Sequence, residues 1–218
     1  MTRMEVLRPV PLPYCPGCGH TVLHRLIAES LEELDLRERT IGVCSVGMTF
    51  LMYDFFNVDF ASAPPGRALS VATGLKRAQP QAAVFSYQGD GDGFGAGLGD
   101  LVHAVARNEK VTAFVLNNMA LGLSGGQASP PLRVCEMLGA LATPARVERV
   151  AVDTPSHVES AKAAVRESLR YAVDGHGTAV LEVMAPCATC GNLSADESAQ
   201  AWERIKPAFP LGVFGGKR

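Results

Sequence analysis

A chain of 218 residues with 47% hydrophobic residues is long enough to bury one well-formed core and short for two. Its formal net charge of −2 gives no reason to expect binding to nucleic acid or to an anionic membrane. No segment approaches the roughly 20 apolar residues of a membrane-spanning helix, and the N-terminus lacks the apolar centre of a signal peptide. We therefore expect one domain, residues 1–218, in the reducing cytoplasm, where cysteines serve as metal ligands or core thiols before disulfides.

Strand and helix patterns alternate along the chain after an extended arm with prolines at positions 9, 11, 13 and 16. The connections between strands are long enough for crossovers, which predicts a doubly wound α/β fold with a mostly parallel sheet and helices on both faces. In chain order the predicted elements are helix Thr21–Leu34, strand Thr40–Val46, helix Ala68–Ala78, strand Ala82–Tyr87, a helix through Leu98 and Ala106, strand Val111–Leu116, helix Leu132–Leu141, strand Val147–Val152, helix Pro155–Val173, strand Ala179–Met184 and a last helix with Trp202.

The most informative pattern lies where two of these strands end. Gly89, Asp90 and Gly91 follow the strand Ala82–Tyr87, and Asn117-Asn118 follows the strand Val111–Leu116, with the 25 residues from 92 to 116 between the two motifs. This spacing fits one helix and one strand that return to the same edge of a parallel sheet, where ligands bind. The glycines let the backbone approach an anion, and the helix that follows adds its positive N-terminal end.

Oxygen atoms at this edge predict a diphosphate that is held through a divalent cation. Asp90 supplies a carboxylate oxygen, Asn118 an amide oxygen, and the loop near Ala120 a backbone carbonyl. Two or three protein oxygens together with phosphate oxygens suit octahedral Mg²⁺, which is seldom fully caged by protein. We therefore expect Mg²⁺ at Asp90, Asn118 and Ala120.

Two further segments are expected to flank the phosphates. The polar loop that begins at Gly122 and Leu123 follows Asn118 directly, and its position favours contact with the cofactor. The rigid turn before the helix Ala68–Ala78 ends at Arg67, which binds either a phosphate or a substrate carboxylate, or forms a salt bridge at the helix start. Both interpretations of Arg67 stay open.

The spacing GDG-x25-NN looks like the thiamine-diphosphate signature. The longer text GDGD…NNMALGLSGGQASP, with YCPGCGH, GRALSVATGLKRAQP, APCAT and PLGVF elsewhere, resembles the small, beta-type thiamine-binding subunit of the 2-oxoacid:ferredoxin oxidoreductases. The resemblance covers nearly the whole chain and is specific for the subunit type but not for the substrate. It implies the thiamine-diphosphate-binding fold, its diphosphate-binding domain, and a phosphate pocket shaped by Gly91 and Asp92.

Cysteines near both ends of the chain predict a second metal site. Cys15-Pro-Gly-Cys18 is a tight turn that points both sulfurs one way, as metal and cluster sites require. Cys187 and Cys190 have the same spacing close to the other end. The resemblance implies one [4Fe–4S] cluster on four cysteines, and Cys15, Cys18 and Cys187 match three of its ligand positions.

The fourth ligand stays open between Cys190 and Cys44. The family's remaining position falls on Met48, and two C-x-x-C pairs are a strong ligand pattern, so we prefer Cys190. Zn²⁺ on the two pairs is the main alternative to a cluster. His20 and His24, close to the first pair, are expected to be partly exposed helix residues instead of ligands.

The resemblance implies oxidative decarboxylation of a 2-oxoacid to acyl-coenzyme A and carbon dioxide, with electrons passed through the cluster to ferredoxin. The carboxylate that activates the thiamine pyrimidine normally lies on a separate domain, so we expect alpha-type and gamma-type partner subunits. In the family a His usually precedes the Gly-Arg of the turn at residues 66 and 67, and Pro65 replaces it here. A non-oxidative thiamine-dependent decarboxylase subunit and a non-catalytic metal-binding scaffold remain alternatives.

Overall fold

A computed structural model describes residues 5–47, 49–121, 127–128, 131–141, 143–187 and 195–216. Strands and helices alternate in it as the sequence pattern predicts. The strands are β1 (Thr40–Ser45), β2 (Asp59–Ala63), β3 (Ala83–Gly89), β4 (Thr112–Asn117), β5 (Ala120–Leu121), β6 (Gln127–Ala128), β7 (Arg146–Ala151), β8 (Ala179–Met184) and β9 (Gly212–Gly215). The α-helices are α1 (Gly19–Glu33), α2 (Met52–Phe55), α3 (Ala68–Ala78), α4 (Leu98–Ala106), α5 (Val134–Gly139), α6 (Pro155–Val173) and α7 (Ala195–Ile205).

The main sheet has seven strands in the order β2-β1-β3-β4-β8-β7-β9. All neighbouring pairs are parallel except β7 and β9, which run antiparallel. β5 and β6 form a separate two-stranded ribbon directly after β4. The predicted doubly wound, mostly parallel sheet is confirmed.

Helices bury both faces of this sheet, and each face has its own apolar core. Leu23 of α1 and Leu169 of α6 pack with Phe85 of β3 on one face. On the other face, Leu69 of α3 and Leu101 of α4 belong to a second cluster. Because both faces are covered, every residue of β1, β4 and β8 is buried, which explains their nearly continuous apolar sequences. Within the described ranges, no helix combines the length and the apolar character needed to cross a bilayer.

Helix α6 has the bounds that the sequence predicts, and local signals explain where it begins. Thr154 caps α6, because its side-chain oxygen accepts a hydrogen bond of 3.2 Å from the backbone N–H of His157. Pro155 occupies the first turn, where a missing N–H does no harm. A cap together with a proline at the first turn therefore marked this start in the sequence.

The predicted elements lack the strands β2, β5, β6 and β9, the short helix α2 and the helical segment Gly91–Ala96. β2 and β9 lie at the two edges of the sheet, where exposed residues interrupt the apolar pattern that identifies inner strands. The Gly-Asp-Gly motif was expected to break the chain before a helix. Instead, residues Gly91–Ala96 form a π-helical segment that leads into α4, so the helix begins directly after Asp90.

Candidate active site

The two motifs meet at the carboxyl edge of the sheet. β3 and β4 are adjacent and parallel, and Gly89 at the end of β3 pairs with Leu116 of β4. Asp90 follows Gly89 as the cap of the helical segment and is only 2% exposed, whereas Asn118 follows β4 and is half-buried. The structure therefore places the predicted carboxylate and amide ligands after the ends of neighbouring strands.

The side chain of Asn117, the last residue of β4, stabilises the turn that follows the strand. The side-chain oxygen of Asn117 accepts a hydrogen bond of 3.1 Å from the backbone N–H of Met119. Met119 has a left-handed backbone with φ of 58°, which is uncommon for a residue other than glycine. The chain then enters β5 at Ala120, while Gly122 and Leu123 lie outside the described residues.

Asp92 ties three segments of the edge together. Its carboxylate accepts hydrogen bonds from the Ser45 hydroxyl at the end of β1, from the backbone N–H of Gly66, and from the Gln88 side chain at 2.8 Å. These donors belong to the end of β1, the turn before α3 and the end of β3. Asp92 therefore builds the edge next to Asp90, a contact that its sequence motif alone did not reveal.

Glycines leave room at this edge and allow one close backbone approach. A Cβ atom built on Gly89 would meet no heavy atom of the described residues within 4 Å, so these residues leave space beside Asp90. Gly66 has φ of 76°, and a Cβ there would collide with the backbone of Ala96 and Gly97. The turn before α3 therefore packs directly on the helical segment that follows Asp90.

Arg67 forms the salt bridge that was one of its two predicted roles. Its guanidinium lies 2.8 Å from a carboxylate oxygen of Asp100 in α4, and the Arg67 side chain is 55% exposed. This pair connects the start of α3 with α4 in the same region as the Gly66 contact.

The N-terminal cysteine pair lies close to Cys187. The backbone N–H of Cys18 donates a hydrogen bond of 3.0 Å to the carbonyl of Cys15, and Gly17 between them has φ of 78°. Burial raises the pKa of the Cys18 thiol, two backbone N–H groups lower it, and the neighbouring thiols of Cys187 and Cys15 raise it. The structure therefore brings these three predicted ligands into one region.

The same region leaves the fourth ligand open. Cys44 is fully buried in β1, and its thiol contacts the carbonyl of Phe50 at 3.5 Å. The pKa of Tyr14 is raised by burial and by the nearby thiols of Cys18 and Cys44. Cys190 and Met48 lie outside the described residues. Among the residues described, no three His, Cys, Asp or Glu side chains already surround a metal position.

The prediction that His20 and His24 are partly exposed was wrong. Their exposed fractions are 2% and 0%, because α1 turns this face toward the sheet. His20 Nδ1 lies 2.7 Å from the hydroxyl of Tyr87, and His24 Nε2 lies 3.3 Å from that of Tyr14. Burial lowers the pKa of His20 to about 4, and burial together with the charge of His20 lowers that of His24 to about 3. Both imidazoles are therefore neutral at pH 7.

The C-terminal helix α7 is anchored beside Cys187. The indole N–H of Trp202 donates a hydrogen bond of 2.8 Å to Asp153, which follows β7. The hydroxyl of Ser198 donates a hydrogen bond of 2.7 Å to the carbonyl of Cys187. α7 therefore fixes the backbone that carries the third cysteine.

Sequence reasoning missed a buried ion pair near Asn117. Arg149 of β7 and Glu182 of β8 are register partners with no exposed side-chain surface, and Arg149 Nε lies 2.7 Å from Glu182 Oε2. The available signal was Glu182, the single charged residue inside the otherwise apolar pattern of β8. Such residues are rarely buried unless they are paired.

Comparison with known sequences agrees with this geometry. Residues 43–183 match the family described as thiamine pyrophosphate enzyme, C-terminal TPP binding domain. The ketoisovalerate oxidoreductase subunit VorA of Methanothermobacter thermautotrophicus is 36% identical, over 94% of this chain and 48% of its own length. The 2-oxoacid:ferredoxin oxidoreductase 1 subunit beta of Aeropyrum pernix is 33% identical, over 84% of this chain and 61% of its own length. The chain thus spans about half the length of VorA.

Solved structures show the same fold. A 2-oxoglutarate:ferredoxin oxidoreductase from Magnetococcus marinus, solved with 2-oxoglutarate, coenzyme A and succinyl-CoA bound, superposes with a TM-score of 0.77 at 21% identity, over 98% of this chain and 84% of that one. Benzoylformate decarboxylase from Polynucleobacter necessarius has a TM-score of 0.56 at 20% identity, over 82% of this chain and 35% of that one. With its paired strand-end motifs, its sheet order and these relatives, the chain belongs to the thiamine pyrophosphate enzymes, in the family of thiamine-binding, beta-type subunits of 2-oxoacid:ferredoxin oxidoreductases.

Proposed function

We propose that this chain is the thiamine-diphosphate-binding subunit of a 2-oxoacid:ferredoxin oxidoreductase, which converts a 2-oxoacid to acyl-coenzyme A and carbon dioxide and passes electrons to ferredoxin. The observation that carries the proposal is the placement of Asp90 and Asn118 after adjacent parallel strands at one edge of the sheet. The family match and the oxidoreductase subunits among the relatives support it. We treat residues 1–218 as one domain with this role.

The residues at this edge suit a Mg²⁺-bound diphosphate. Asp90 and Asn118 would supply two hard oxygen ligands and the carbonyl of Ala120 a third, which matches the oxygen preference of Mg²⁺. The open space beside Gly89 gives the phosphates room next to Asp90. Gly91, in the first turn of the helical segment, would let the phosphates approach the backbone, and the N-terminal end of that segment favours negative charge. Gly122 and Leu123 remain our candidates for the loop over the phosphates.

When bound, thiamine diphosphate supplies a carbanion for attack on the ketone carbon of the 2-oxoacid. The part of this chain is to bind and orient the cofactor. Asp92 keeps the ends of β1 and β3 and the turn at Gly66 in fixed relation, so the diphosphate pocket is rigid before the cofactor arrives. Arg67, which follows Gly66 and is held by Asp100, remains our candidate to bind a phosphate or a substrate carboxylate.

For electron transfer we propose a [4Fe–4S] cluster on Cys15, Cys18, Cys187 and a fourth cysteine, Cys190 or Cys44. The fit rests on soft thiolate donors that the fold gathers in one region. Such a cluster supplies one-electron transfer when bound. A reducing, cytoplasmic compartment keeps these thiols available as ligands.

Partner subunits complete the proposed enzyme. The carboxylate that activates the thiamine pyrimidine is expected on an alpha-type subunit, with a gamma-type subunit, ferredoxin and coenzyme A as further partners. Exposed apolar side chains next to the carboxyl end of β1 support a partner contact there: Val46, Phe50, Leu51 and Tyr53, each 37–43% exposed. The purified chain alone should therefore oxidise no 2-oxoacid, and full activity without a partner would contradict this proposal.

Calorimetry with thiamine diphosphate and Mg²⁺ tests the central claim. The parent chain should bind the cofactor only with the cation, and Asp90→Ala should lose that binding while its circular dichroism stays unchanged. Equal binding by both proteins would exclude the proposed site. Iron and zinc analysis of anaerobically purified protein, together with visible absorbance, tests the cysteine site, because a cluster absorbs in the visible range and Zn²⁺ does not.

A further inference from the structure

The buried ion pair between Arg149 and Glu182 extends to the turn that carries Asn118. Both side chains are fully buried in adjacent strands of the sheet. A buried ion pair is commonly no more stabilising than well-packed apolar side chains of similar volume, because two charges must leave water. Its position inside an otherwise apolar core therefore calls for a role besides packing.

Glu182 connects this pair to the turn after β4. One of its oxygens, Oε2, faces Arg149, and the other, Oε1, accepts a hydrogen bond of 2.7 Å from the side-chain amide of Asn117. The amide oxygen of Asn117 in turn accepts the N–H of Met119, whose backbone is left-handed. These two hydrogen bonds restrain the backbone on both sides of Asn118.

Arg149 is held just as firmly on its far side. Its guanidinium lies 2.7 Å from Glu136 Oε2 and donates a hydrogen bond of 3.1 Å to the carbonyl of Pro210. Hydrogen bonding from Arg149 is the main reason that the pKa of Glu136 falls to about 2. Cys135 donates a third hydrogen bond to Glu182, at 3.0 Å. Glu182 is thus kept in place by Arg149, Asn117 and Cys135.

We propose that Arg149, Glu182 and Asn117 are positioning residues for the divalent cation, because they set the direction in which Asn118 presents its amide oxygen. The inference rests on the proposed function, since it takes Asn118 as a metal ligand. A neutral amide is a weaker ligand than a carboxylate, so its contribution depends on orientation. Outer residues that orient a ligand typically change metal affinity by about 10- to 100-fold when they are mutated.

Binding of Mn²⁺ to the full chain at saturating thiamine diphosphate tests this inference. Mn²⁺ shares the preference of Mg²⁺ for oxygen ligands, and the electron paramagnetic resonance signal of free Mn²⁺ gives the dissociation constant without an activity assay. Glu182→Gln should raise that constant about tenfold, because Arg149 and Asn117 donate to different oxygens of Glu182 and glutamine has an acceptor at only one of these positions. Asn117→Ala should have a similar effect and leaves the ion pair intact.

Glu136→Gln is the matched control, since it is the same substitution on the side of Arg149 that does not touch the Asn117 turn. Glu136→Gln should change the dissociation constant of Mn²⁺ by less than about twofold, even if it lowers thermal stability. Parent-like Mn²⁺ binding by both Glu182→Gln and Asn117→Ala would overturn the inference, as would equal losses in Glu182→Gln and Glu136→Gln. If Glu182→Gln does not fold, Asn117→Ala decides.

The proposed function and this inference fail in different ways. A parent chain that binds no Mn²⁺ in the presence of thiamine diphosphate overturns both. The other result is that the parent, Glu182→Gln and Asn117→Ala bind Mn²⁺ equally well and Asp90→Asn does not. That result supports the proposed function and overturns the positioning role.

Discussion

Gly19 at the start of α1 packs directly against Ala185, the residue after β8. A Cβ on Gly19 would collide with the Cβ of Ala185 and would lie 3.3 Å from a methyl group of Leu116. The first residue of the helix that follows Cys18 therefore touches the segment that leads to Cys187. Only a residue without a side chain lets the two ends of the chain come this close.

Gly19→Ala should consequently separate the cysteine pair from Cys187. We expect a loss of about 1–3 kcal/mol in the free energy of unfolding, the usual range for overpacking, together with less iron bound per chain after anaerobic reconstitution. Gly74→Ala in α3 is the control, because a Cβ there meets no heavy atom within 4 Å in the part of the chain that the structure describes, and alanine favours the helix. A Gly19→Ala protein with parental stability and iron content would show that the close contact is not required.

Asp92 should matter for stability even without a cofactor. One carboxylate oxygen of Asp92 accepts hydrogen bonds from Ser45 and Gln88, and the other accepts from the backbone N–H of Gly66. Asp92→Asn replaces one of these acceptors by an NH2 group and leaves its donors without a partner, so we expect a loss of about 2–3 kcal/mol in urea unfolding. Asp54→Asn, at an exposed position, should change stability by less than about 0.5 kcal/mol. Similar small effects of both substitutions would mean that Asp92 does not hold the edge together.

The ion pair between Arg149 and Glu182 should give a strongly non-additive mutant cycle. Arg149→Met leaves the Glu182 carboxylate buried without its charge partner, which should lower the free energy of unfolding by about 3–5 kcal/mol. Adding Glu182→Gln to that variant removes the buried charge and should recover part of the loss. Denaturant unfolding of the four proteins measures the coupling. If the double variant is less stable than Arg149→Met alone, the coupling has the wrong sign.

Buried His24 should make stability depend on pH. Its pKa is lowered from 6.5 to about 3 in the folded protein, so between these values the unfolded chain binds the proton and the folded chain does not. Stability therefore falls as pH decreases below 6.5, by about 2 kcal/mol for this residue between pH 6.5 and 5. His24→Phe removes the proton-binding group and should flatten the pH dependence of unfolding in that window. An unchanged slope would show that His24 is not kept neutral by burial.

Much of the architecture could be read from local patterns. α3, α6 and β8 have the predicted ends, because apolar periodicity, a proline at the first turn and turn residues act over a few neighbouring positions. Inner strands are apolar throughout since both faces of the sheet are covered, and this made β1, β3 and β4 visible. The edge strands β2 and β9 lack that signal, because each has a neighbouring strand on one side only and several of its residues are exposed.

Side-chain environments were harder to predict than elements. His20 and His24 have the spacing of an ordinary helix face, and only the packing of α1 on the sheet makes them buried. Asp92 is one of two aspartates in a short motif, and the donors of its hydrogen bonds come from segments that are distant in sequence. Arg149 and Glu182 are separated by α6, so their pairing follows from strand order alone.

The sequence by itself determined the fold class, the family and the candidate ligands Asp90 and Asn118, because these depend on residue types at short, regular spacings. Only the tertiary structure decided that Asp92 joins the ends of β1 and β3 to the turn at Gly66, that Gly19 brings Cys18 toward Cys187, and that a buried ion pair supports the turn at Asn118. Those relationships depend on which strands are neighbours and on which atoms of distant residues touch, and a linear pattern does not contain that information.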